Sequence, residues 1–174
     1  MSRRRARVLL CVLAGAAVCA GAASAVAQDA TEALRPCRPA DLIGAWEVIR
    51  FGAAPSFPVN RRDPYFYPYQ RYVFAANATV RHLTSQTRIT PEAHRALLAA
   101  TSPATWAVDG EGKLLLQHPG ATWLETAACA VLTKEVIDPR SRVPALPGDV
   151  LLTHQDADKP VMRRQLRKLD GRAE

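Results

Sequence analysis

The sequence predicts an all-β domain, an antiparallel up-and-down meander of about seven to nine strands closed into a small barrel with one short helix. Three observations carry this expectation. Short runs rich in β-branched and aromatic residues recur along the chain, each bounded by Gly, Pro, Asn or Asp. A single stretch, 91–100, repeats its apolar residues at helical spacing. The runs follow one another through hairpin-length links, and closing such a meander removes the exposed edges that an open sheet leaves.

Residues 1–27 have the layout of an export leader. Arg3, Arg4, Arg5 and Arg7 form a positive start and 8–20 is apolar and uncharged. Both Ala25-Val26-Ala27 and Ala23-Ser24-Ala25 then offer a small-x-small cleavage pattern. Cleavage near Ala27 leaves an exported chain, periplasmic or extracellular, with no stable membrane insertion. Cys11 and Cys19 lie in this segment without the residues that precede a lipidated cysteine. Residues 28–40, with Pro36 and Pro39, form an extended lead to a domain at 41–170. The chain holds 23 basic and 16 acidic residues, net +7; the leader contributes four arginines and no acid, leaving 19 against 16, or +3. So small a charge argues against nucleic acid as a partner, the local run Arg163-Arg164-Gln165-Leu166-Arg167-Lys168 aside.

Residues 42–51 read as the first strand, apolar almost throughout. The next stretch, 52–69, is a different material. Pro55, Pro58, Pro64 and Pro68 deny it ladder hydrogen bonds, while Phe57, Tyr65, Phe66, Tyr67 and Tyr69 make it too aromatic for disorder, so a long ordered loop is expected. Residues 70–75 and 79–85 form a hairpin, with Asn77 expected in the left-handed conformation at its turn. Asn77-Ala78-Thr79 also matches a glycosylation sequon, but an Ala- and Arg-rich leader of bacterial type favours the turn. Thr90 as N-cap and Pro91 in the first turn open the helix, with Ala93, Ala96, Leu97 and Ala100 as its stripe. Residues 104–109 and 113–118 make a hairpin around Gly110-Glu111-Gly112. A long strand at 121–136 carries Trp123 and Cys129, a loop spans 138–147, and 149–154 with 161–169 form the last hairpin.

The mature chain keeps Cys37 and Cys129. In an oxidising compartment these most simply form one disulfide, with free thiols or a catalytic Cys129 as the less supported readings. The bond closes a loop of about 90 residues, worth roughly 4–5 kcal/mol by chain entropy.

Gly44 and Trp46, two apart at the opening of the first strand, resemble the first motif of lipocalin-like proteins of the calycin type. Tyr72-x-Phe74, a tight turn and Thr79-x-Arg81 add to the resemblance, which spans 41–169 in the order of elements. It implies that Trp46 packs across the closed end of the barrel and that Gly44 allows close approach of the chain. It also implies that a basic residue of the last strand, Arg163, Arg164 or Arg167, covers the indole through a cation–π contact. The family's Thr-Asp-Tyr motif has no match, Asp156-Ala157-Asp158 included.

No catalytic constellation emerges. A Gly-x-Ser-x-Gly elbow is absent, and Ser56, Ser85, Ser102 and Ser141 lack a distinctive setting. His82, His94, His118 and His154 are scattered singly without metal-ligand spacing, and each is expected as a surface or satisfied strand residue. Neither catalysis, a metal nor a cofactor is therefore expected, and Asp156 with Asp158 reads as a polar turn. Glu47 follows Trp46 and so faces the opposite side, toward solvent. Glu125 shares a face with Trp123, Ala127 and Cys129; if that face is interior it is a buried acid in need of a partner, which a strand arginine can supply.

In lipocalin-like folds the first long loop crosses the open mouth. The resemblance thus implies Phe57, Tyr65, Phe66, Tyr67 and Tyr69 at the entrance, with Arg61 and Arg62 available to an anionic head group. Two functions are expected: binding of a small hydrophobic or amphipathic molecule in the mouth, or a barrel filled by its own side chains that serves an exported protein partner. Interior volume separates them.

Overall fold

Nine strands, two α-helices and one 3-10 turn run through the residues that the computed structural model describes: 33–122, 124–137, 143–156 and 159–169. The expected leader at 1–27, Trp123, Asp158 and part of the 138–147 loop lie outside them. The elements are β1 (Leu34–Pro36), α1 (Pro39–Leu42), β2 (Gly44–Ala53), the 3-10 turn (Pro64–Phe66), β3 (Tyr69–Phe74), β4 (Val80–Ser85) and α2 (Pro91–Ala99). They continue as β5 (Thr105–Val108), β6 (Lys113–Gln117), β7 (Leu124–Leu132), β8 (Val150–Asp156) and β9 (Lys159–Lys168).

The expected fold class holds. Eight strands form one antiparallel sheet in the order β4-β3-β2-β9-β8-β7-β6-β5, so each lies beside its chain neighbours and β2–β9 pairing joins first to last. At the seam, β4 and β5 meet through a Thr79–Thr105 bridge, where the Val80 N–H donates to Ala104 O and the Trp106 N–H to Ala78 O. This nearly closes a barrel. The seam is stitched at the start of β4 only, because the chain beyond leaves for α2, which lies outside the sheet, its Leu97 and Leu98 carbonyls accepting from Arg81.

Strand alternation sends one set of side chains inward. At one end these are Trp46, Phe74, Val80, Trp106, Leu114, Val150 and Leu166, all buried in one core cluster. Trp46 donates its indole N–H to Leu42 O at 2.6 Å, so α1 caps this end. Gly44 sits at φ +130°, and a Cβ there would lie 2.9 Å from Lys168 Cε, which accounts for a glycine. The cation over the Trp46 ring is Lys168, its Nζ 5.6 Å from the centroid, and none of Arg163, Arg164 or Arg167. Register decides this: Lys168 pairs directly with Trp46, Arg167 belongs to the outer face, and Arg164 lies four residues deeper.

Three further differences have local causes. The strand begins at Gly44 rather than 42 because Pro39 opens a turn in which Asp41 accepts from the Arg38 N–H at 2.8 Å. A bulge between Val48 and Arg50 shifts the phase of β2, so Phe51 instead of Arg50 joins Trp46 and Val48 on the inside. In the first hairpin Ala78 takes the left-handed conformation (φ 62°), not Asn77, whose side chain accepts from Thr79 N and Oγ1 to form an Asx turn. Cys37 and Cys129 are disulfide-bonded with Cα atoms 5.4 Å apart. The bond pins the lead to β7, where β1 pairs in antiparallel register beyond the end of β6.

Candidate functional site

The same alternation that fills one end with apolar groups places Gln70, Arg164, His154 and Glu125 inward toward the other. The fifth member comes from the proline-rich loop. Asp63 accepts from the Tyr65 N–H at 2.9 Å and Pro64 starts the 3-10 turn, which drives Tyr65 into the barrel opening. Gln70 anchors that turn, donating to the Tyr65 and Tyr67 carbonyls at 3.0 and 2.8 Å.

Arg164 is wholly buried. Its Nε donates to Gln70 Oε1 (3.0 Å), its Nη1 to Tyr65 Oη (3.2 Å) and His154 Nε2 (2.9 Å), and its Nη2 to Tyr65 O (3.1 Å). The guanidinium also lies 4.2 Å from the Tyr65 ring centroid and 5.8 Å from that of Phe51. Because a guanidinium only donates, His154 Nε2 accepts, and the imidazole proton sits on Nδ1.

Glu125 does not touch this arginine in a direct ion pair. Tyr65 donates its hydroxyl to Glu125 Oε1 at 2.8 Å and bridges the two charges, while His118 Nε2 lies 3.0 Å from Oε2. His154 Nδ1 is 3.9 Å from Oε1. Burial opposes the carboxylate charge, but the His118 and Tyr65 hydrogen bonds and the nearby His154 and Arg164 outweigh it, so Glu125 titrates below its ordinary range. Burial and the Arg164 charge push His154 down to about 4 and leave it neutral. Burial pushes Tyr72 up to about 12 and raises Tyr65 further. Burial likewise works against the Arg164 charge, yet the surrounding tyrosines and Glu125 hold it protonated.

Beside this network lies a pocket of about 300 Å³, lined by Tyr72, His82, Ser102, Leu116, His118 and Glu125 among others. It sits against the unstitched part of the β4–β5 seam. His82 pairs across the strands with Tyr72, and their rings stack at 4.1 Å with 8° between planes. The enclosing barrel and Arg164 push the His82 imidazole below its ordinary pKa, although its ring is exposed to the pocket.

The expected lid residues divide. Tyr65 enters the barrel, and Phe66 packs edge-on against Phe51, Phe57 and Tyr65 to hold the loop down. Tyr67 donates to Arg62 O, and Tyr69 begins β3 half-exposed. Arg61 and Arg62 are exposed in the outer turn, and none of the seven residues lines the pocket. The loop is thus a plug carrying a phenol into the interior, because Gln70 and Arg164 together bind its carbonyls. The motif residues Tyr72 and Phe74 face inward, with Arg163 on the outer face beside Thr153. Glu47 faces outward, 3.7 Å from Arg71. The sequence places Glu125 conditionally inside but leaves the histidines scattered. Their inward parity on β4, β8 and the end of β6 was available; their convergence needed the barrel.

No known family pattern, characterised protein or solved structure matches this chain.

Proposed function

We propose that this is an exported lipocalin-like barrel that binds a small amphipathic molecule at its open end. The observation that carries the reading is the pocket of about 300 Å³, at the small end of cavities that hold small molecules, with an aromatic wall and a few convergent polar groups. Export is supported by the leader pattern at 1–27 and agrees with the Cys37–Cys129 bond. The ligand enters beside the β4–β5 seam rather than past the first loop, since Tyr65 occupies that route. Binding is the role proposed, with Glu125, His118 and His82 as contacts and no chemical step assigned to them.

Native mass spectrometry of the protein isolated from its own host tests this. A stoichiometric small-molecule adduct, lost when Ser102→Trp fills the pocket, is the expected result. A bare mass, with no thermal stabilisation by any member of an amphipathic panel, overturns it and favours the filled-barrel, protein-partner reading.

A further inference from the structure

We propose that the pocket selects a small planar cation, a flat aromatic ring carrying an ammonium or similar N–H-rich group. The ring stacks on His82 and the cationic group pairs with Glu125. This inference rests on the open-end binding reading and deepens it.

Three observations point the same way. Among the described lining residues Glu125 is the one carboxylate, and there is neither lysine nor arginine. The positive charge that balances it, Arg164, is wholly buried behind Tyr65 and already donates to Gln70, Tyr65 and His154, so it is closed to an incoming anion. Each Glu125 oxygen accepts one hydrogen bond from the described residues, from Tyr65 and from His118, and a carboxylate oxygen has capacity for two. The side chain is 11% exposed, and that sliver faces the pocket. A ligand N–H donor therefore meets a partly desolvated acceptor whose direct partners among the described residues are a phenol and an imidazole, with neither arginine nor lysine in contact, the setting in which a charge-assisted hydrogen bond is strong.

The shape of the ligand follows from His82. Tyr72 covers one face of its imidazole, leaving the other toward the pocket, and Val80, Ala104 and Leu116 supply apolar walls at either side. A flat ring fits this slot in an offset stack.

Isothermal titration with three probes that share an indole ring distinguishes the possibilities: tryptamine, 3-methylindole and indole-3-acetate. Tryptamine is expected to bind more tightly than neutral 3-methylindole, and indole-3-acetate more weakly than either. Glu125→Gln should cut tryptamine affinity about ten- to a hundred-fold and leave 3-methylindole unchanged. His82→Ala, which removes no hydrogen bond seen among the described residues, should weaken tryptamine and 3-methylindole alike, and it keeps the test valid should Glu125→Gln unfold. Equal affinity for all three probes, or preference for indole-3-acetate, overturns the cation inference while leaving the binding reading intact. Absence of binding by any of them overturns the inference, and an empty native mass then removes the binding reading as well.

Discussion

Two buried carboxylates face the arginines of β9, and the barrel wall separates them. Outside, Asp149 accepts Arg167 Nε at 2.9 Å and Nη2 at 2.7 Å, together with Gln165 Nε2 at 2.8 Å and the Leu146 N–H at 3.0 Å. Oδ2 takes three of these bonds and Oδ1 one, the guanidinium spans both oxygens, and Arg167 adds a bond to Pro144 O, so the loop leading into β8 is clamped to the last strand. Inside, Glu125 receives Tyr65 and His118 among the described residues, with its arginine one phenol away. The same pair of residue types makes a closed clamp in one place and an open acceptor beside a pocket in the other. What differs is whether the fork of the guanidinium reaches the carboxylate directly.

Removing the arginines breaks the comparison most sharply. Arg164→Met leaves Glu125 buried without the charge that balances it and strands Gln70 Oε1 and His154 Nε2, and should cost about 3–5 kcal/mol in urea unfolding. Arg167→Met, half-exposed and with Gln165 and Leu146 still serving Asp149, should cost about 1–2 kcal/mol. Equal losses would mean that the two pairs are equivalent.

Acid separates the two next. His154 has a folded pKa near 4 against an ordinary 6.5, so the unfolded chain binds more protons between these values. Stability therefore rises with pH across roughly pH 4 to 6.5 and is lost as pH falls through that window, by up to about 3 kcal/mol. The Asp149 carboxyl is opposed by burial but lowered by Arg167, Leu146 and Gln165, and its contribution is lost only at stronger acidity, below the ordinary carboxylate range. The open end thus weakens before the clamp does. His154→Gln, which keeps an acceptor for Arg164, should flatten the urea midpoint between pH 4 and 6.5. His82 and His94, also pushed down but reached by water, retain a smaller slope. An unchanged profile in His154→Gln would assign the acid sensitivity elsewhere.

The smallest effect sharpens the role of the bridge. Tyr65→Phe keeps the ring against Phe66 and His154 and removes the hydroxyl between Glu125 and Arg164, for an expected loss of about 1–2 kcal/mol. Chemical shifts of the His118 and His154 rings should move in this variant while those of residues around Trp46 stay fixed. Shifts that spread to the closed end would show one coupled interior rather than two.

Much of the scaffold was legible because it rests on short-range rules. Alternation located the strands, Thr90 and Pro91 located α2, and Gly44 with Trp46 marked the closed end. The candidate site was less so. The proline-rich loop stands out in the sequence for its aromatics, yet only its turn at Asp63–Pro64, together with Gln70 and Arg164, shows that Tyr65 points inward. Arg50 and Phe51 are adjacent, and nothing in their identity announces the bulge that sends the aromatic inside. Nothing in the sequence separates Lys168 from its neighbouring arginines as the cover of Trp46, because that cover depends on register, which a one-residue step reverses.

By itself, then, the sequence determined the class of fold, the helix, the bonded cysteines and the possibility that Glu125 is a buried acid. Each depends on neighbours in the chain or on simple counting. Only the tertiary structure decided that Glu125, Arg164, His118, His154 and Tyr65 share one end of the barrel, and that the arginine nearest Glu125 does not touch it. These residues are separated by up to 99 positions, and their meeting depends on strand order, register and one bulge acting together. Closure of the sheet turns parity on five separate segments into a single site, and no local pattern encodes that step.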